Sequence, residues 1–130
     1  MLHIRHFRKN QIDGTLAVVP MTKTELHHIF TQHANKTMMS IGLAIKSPHD
    51  QFIKKVGYKL ATEKMAATIV DLICVSQTGT KHIYTFDTKI KHTNNKTYQV
   101  VMTFTTVLES ENVELVDAYI FDTASYSDAY

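Results

Sequence analysis

The chain has 130 residues, 44% of them hydrophobic and 20% charged, with a formal net charge of +2. Such values fit one domain, expected over 1–123, whose core needs no disulfide or structural metal at this length. No run approaches the roughly 18 apolar residues of a membrane span. The segment Met1–Lys9 lacks the apolar stretch of a signal peptide. The lone Cys74, inside the apolar run Ile69–Val75, reads as a small buried hydrophobe in a reducing compartment, so a cytoplasmic protein is expected.

In chain order, residues 2–8 and 15–19 read as short strands around a polar turn, Asn10-Gln11-Ile12-Asp13-Gly14, and Pro20 ends the second strand. Thr22-Lys23-Thr24-Glu25 is a capping box, and Leu26, Ile29, Phe30 and His33 follow at helical spacing, which predicts a helix over 23–34. From Thr37 the period changes to two. Met39, Ile41, Leu43 and Ile45 form a bulky face, whereas Met38, Ser40, Gly42, Ala44 and Lys46 fall on the other, read as a small-residue face on which another element must lie flat.

The natural element is a second helix over 48–67. Ser47 would cap it, Pro48 would take its first position and Asp50 its first turn. Ile53, Val56, Leu60, Ala61, Lys64 and Met65 mark the expected packing side, with Gly57 on it for close approach to the strand. Strands at 69–76 and 81–87 flank Gln77-Thr78-Gly79-Thr80, a long strand over 96–108 follows Asn94-Asn95, and Glu109-Ser110-Glu111-Asn112 leads into 113–121. The fold class is α+β, a mainly antiparallel sheet with two helices packed on one face, followed by a C-terminal tail over 124–130.

No catalytic constellation stands out. Eight histidines include no i,i+4 pair, the four glycines are scattered, and Cys74 has no local nucleophile signature, so neither metal ligands nor a phosphate loop is indicated. A non-enzymatic protein without cofactor or metal is expected. Asn35-Lys36-Thr37 and Asn95-Lys96-Thr97 match a glycosylation triplet but read as turn and strand-start residues.

Charge is uneven along the chain: residues 1–60 carry nine Lys/Arg against three acids, whereas residues 61–130 carry five Lys against nine acids. The acidic end is either one pole of a charge dipole or a solubilising guard on the last strand, and that strand, 113–121, could pair with a second copy to give a homodimer. On the second helix Lys54, Lys55 and Lys59 gather with Tyr58 opposite the expected packing side, and Arg5, Arg8 and Lys9 come from the first strand. If these seven meet, they form a basic surface with an aromatic anchor. It would suit a protein with an acidic surface or, alternatively, a nucleic acid; a solvated helix face is the plainer reading.

The stretch Gly42-Leu43-Ala44-Ile45-Lys46-Ser47-Pro48-His49-Asp50-Gln51-Phe52, continuing to Gly57, Ala61 and Met65, resembles a strand-to-helix segment of small bacteriophage-encoded accessory proteins of unknown role. The resemblance implies a setting rather than a catalytic residue: a small domain in a host cytoplasm that binds or inhibits a host protein.

Overall fold

In the computed structural model, residues 1–9, 12–32, 34–47 and 49–123 are described, Lys9 by its backbone alone. The expectations at Asn10, Gln11, His33, Pro48 and the tail 124–130 lie outside the described residues. The elements run β1 (His3–Lys9), β2 (Ile12–Val19), α1 (Lys23–Thr31), β3 (Lys36–Ile45), α2 (Lys54–Glu63), β4 (Ala66–Thr78), β5 (Lys81–Lys91), β6 (Thr97–Thr106) and β7 (Val113–Asp122). Among the described residues the protein is α+β, mostly antiparallel strand with two helices. Two compact units divide the chain: Met1–Pro20 with Met39–Thr68, and Met21–Met38 with Ile69 onward.

In the first unit β2 pairs with β1 and with β3, both antiparallel. Ile12, Asp13 and Gly14, expected in the turn, are already strand, because Lys9 pairs with Ile12 and Gly14 pairs with both Phe7 and Ile45. The small face of β3 carries α2 as its composition requires. Ala17, Ala44 and Ala61 form one buried cluster, with Ile4 and Met65 packed against it.

The second helix departs from expectation at both ends. It starts at Lys54, and its N-cap, Ile53, makes no side-chain cap. The Ser47 carbonyl instead closes a turn with the Asp50 N–H at 3.1 Å, and Lys46 Nζ donates to the carbonyls of Ser47 and Asp50 at 2.9 and 2.7 Å. The helix-start residues are thus engaged in an anchored turn that precedes the helix. At the far end the Lys64 N–H bonds both Leu60 and Ala61 carbonyls, a tightened last turn, and β4 begins two residues later.

In the second unit β4, β5, β6 and β7 pair consecutively and antiparallel. Gly79 and Asn95 take φ of +61° and +67° at the turns after β4 and β5, where a left-handed residue is needed. Tyr98, Val100, Met102 and Phe104 alternate inward from β6, and Phe104 meets Phe86 edge-on with centroids 6.1 Å apart. Helix α1 ends at Thr31 rather than 34, with Gln32 as C-cap. It buries Leu26 and Ile29, while Phe30 stays 38% exposed and tilts against Tyr84 at 5.5 Å. Its start follows the sequence: Thr22 Oγ1 accepts the Glu25 N–H at 3.2 Å. Glu111 adds a second anchor, its Oε2 accepting from the Thr24 N–H and hydroxyl at 3.2 and 2.6 Å, which holds its carboxyl below the usual carboxylate range.

The run Ile69–Val75 is not a core strand throughout. Val70 is fully buried, but Ile69, Ile73, Cys74 and Val75 are exposed. A bulge between Leu72 and Cys74 resets the alternation, so Cys74 opposes Thr85 as an accessible thiol rather than a buried hydrophobe.

Candidate binding surface on the second helix

Close backbone contact sets the rotation of α2. A Cβ added at Gly57 would lie 2.1 Å from Thr15 Oγ1, and one added at Gly42 would lie 1.9 Å from the Ala61 carbonyl oxygen. Gly57 and Ala61, four residues apart, therefore define the buried side. At 100° per residue that choice turns Val56 and Leu60 onto the flank of the helix, while Ile53, its extended N-cap, precedes the first turn. Ile53, Val56 and Leu60 remain 49, 49 and 41% exposed, whereas the sequence reading placed them underneath. Large side chains there would have held the helix away from the strands; two small ones let it sit directly on β2 and β3.

The displaced apolar residues line an open groove of about 330 Å³ with Ile45 and Phe52. Lys46 stands at its edge, fixed by its two carbonyl bonds and 3.9 Å from the Asp13 carboxylate. The groove wall next to the strands includes Thr15, a fully buried polar residue whose Oγ1 lies 2.8 Å from His6 Nδ1.

The basic residues are divided by this geometry. Lys54, Lys55, Tyr58 and Lys59 are all exposed on α2, with Tyr58 at 47%. Around the axis Lys55 and Lys59 fall opposite Gly57 and Ala61, Lys59 next to Val56, whereas Lys54 and Tyr58 lie on the other flank. Strand alternation puts His6 and Arg8 on the helix side of β1, and Arg5 on its opposite face. Arg5 thus does not join the helix lysines, and the Lys9 side chain is outside the described residues. Arg8 holds its guanidinium 5.2 Å over the Phe52 ring, and His6 meets that ring edge-on at 6.0 Å. Burial, and next the charge of Lys54, hold the His6 pKa below the usual 6.5.

The ring that Arg8 covers and His6 meets is Phe52, and neither Phe52 nor His6 is among the site residues expected from the sequence. The available signal was the pairing of Gly57 and Ala61 with Gly42 and Ala44: two smooth surfaces predict direct contact and so the helix rotation.

Elsewhere, β7 leaves Val116, Tyr119 and Phe121 43, 51 and 40% exposed, the two rings stacked at 6.4 Å. Among the described residues no group of three His, Cys, Asp or Glu side chains could hold a metal ion, and no helix is long and apolar enough to cross a membrane. No family model, curated protein or solved structure matches this chain.

Proposed function

We propose that the protein is a non-enzymatic binding module that docks a protein with an acidic, partly apolar surface onto α2. The observation that carries this reading is the exposed stripe of Ile53, Val56 and Leu60 beside Lys59 and Lys55. Three large apolar side chains on a helix already fixed by Gly57 and Ala61 contribute little to holding it, and exposed apolar area rimmed by charge suits association. The stripe supplies affinity and the lysines speed encounter. A preformed helix avoids the ordering cost that a flexible loop would bear on binding.

The resemblance of residues 42–65 to phage accessory segments makes a bacterial host protein the partner class in this reading. Pull-down from nuclease-treated bacterial lysate, followed by titration of the captured protein, tests it. Joint replacement Val56→Ser and Leu60→Ser is expected to weaken binding by about 2 kcal/mol. Reversal of Lys54, Lys55 and Lys59 to Glu is expected to slow association most at low salt. Capture lost on nuclease treatment, with a steep salt dependence on single-stranded probes, would favour a nucleic acid on Arg8, Phe52 and Lys54 instead. Unchanged affinity and on-rate in both variants would dismiss the surface.

A further inference from the structure

A second cavity, of about 400 Å³, lies within the other unit between α1 and the strands β4, β5 and β6, apart from the α2 surface. Its size falls in the range of small-ligand pockets, roughly 300–1,000 Å³. Its walls are aromatic: Phe30 against Tyr84 at 5.5 Å, and His82 stacked on Tyr84 with planes 20° apart and centroids 6.3 Å apart. Buried Leu26 and half-exposed Val75 complete an apolar lining.

Its charge has one sign. Lys23 is the ammonium in the lining, and none of the lining residues is acidic. Lys23 Nζ donates to the Val107 carbonyl at 3.2 Å, which holds the ammonium at this end of the cavity. The neighbouring acid, Glu111, lies outside the lining and is bound by the N–H and hydroxyl of Thr24, and its carboxylate also feels the Lys23 charge, which an incoming anion would share. His27, His82 and Thr106 add further polar groups around the opening.

Distance narrows the ligand. Lys23 and Phe30 are seven residues apart on one side of α1, about 10 Å along its axis at 1.5 Å per residue. An anion carried directly on a small ring does not span both positions, whereas a ring and an anion joined through a spacer do. We propose that this cavity binds a mononucleotide-like ligand, its planar base against Phe30 and Tyr84 and its phosphate at Lys23. Stacking on aromatic side chains tolerates any base, and the ammonium acts on the phosphate as a point charge.

The test is titration of the full chain with adenosine monophosphate, adenosine and ribose 5-phosphate, followed by calorimetry and by NMR shift mapping. Adenosine monophosphate is expected to bind at least about tenfold more tightly than either fragment, the worth of one charge-assisted contact, with shifts concentrated at His27, Phe30, His82 and Tyr84. Lys23→Gln should bring its affinity down to that of adenosine, and Phe30→Leu down to that of ribose 5-phosphate. Lys23→Arg, which keeps the charge, should retain most of the binding and shows that the loss in Lys23→Gln is electrostatic. Equal affinity for the nucleotide and its fragments, wild-type binding in both loss variants, or shifts centred on Phe52 and α2 would overturn the assignment.

Discussion

Helix α1 and helix α2 are held to their strands by different means. The first sinks Leu26 and Ile29 into the core of its unit and begins with a side-chain cap from Thr22. The second begins with no side-chain cap, buries Ala61 and touches β2 through Gly57. A helix seated by large side chains has few left to display; one seated by backbone contact keeps its large residues, Ile53, Val56 and Leu60, at the surface. Each helix borders a half-open cavity with one lysine in its lining: Ile53, Val56, Leu60, Phe52 and Lys46 beside α2, and Phe30, Tyr84, His82 and Lys23 beside α1.

If backbone contact is what seats α2, the largest effect belongs to the smallest substitution. Gly42→Ala puts a methyl group into the Ala61 carbonyl, with no side chain able to yield, and should cost about 4 kcal/mol or more in chemical denaturation, at the far end of single-site effects. Leu26→Ala on α1 should cost about 3 kcal/mol, the usual toll of a cavity left by a fully buried leucine. Removing the cap by Thr22→Ala should cost about 1 kcal/mol. By contrast, Val56→Ser on α2 should shift stability by no more than about 0.5 kcal/mol, since that side chain is half-exposed. A loss at Val56 equal to that at Leu26 would mean that α2 is seated by its apolar stripe after all.

The smallest effect is a pH dependence in the first unit. His6 has its pKa lowered on folding, so the folded state binds the proton less readily than the unfolded chain. Its contribution is present in full above the unfolded value near 6.5 and is lost as pH falls through the lower folded value. Thermal unfolding followed from pH 7.5 down to about 5 should show a fall in midpoint that is shallower in His6→Gln. Identical profiles would show that protonation of His6 has no weight in the stability of that unit.

Features that depend on neighbouring residues were legible in the chain alone. The capping box wrote the start of α1, Gly79 and Asn95 wrote turns that need a left-handed residue, and the alternation of large and small residues in β3 announced that a helix lies on Gly42 and Ala44. Elsewhere local signals pointed the wrong way. Ser47 and Asp50 had the makings of a helix start, but Lys46 ties their carbonyls into a separate turn. The apolar run Ile69–Val75 resembled a core strand, yet the bulge before Cys74 turns that thiol outward. The candidate surface was half legible. The α2 lysines and Tyr58 are exposed as composition suggests, but which flank carries apolar residues, and which ring Arg8 covers, depends on the rotation of the helix. Long-range contacts set that rotation. A hydrophobic stripe can be recognised from spacing alone, but whether it faces in or out depends on how closely two backbones approach, and approach is set by residues distant in the chain: Thr15 meeting Gly57 and Gly42 meeting Ala61.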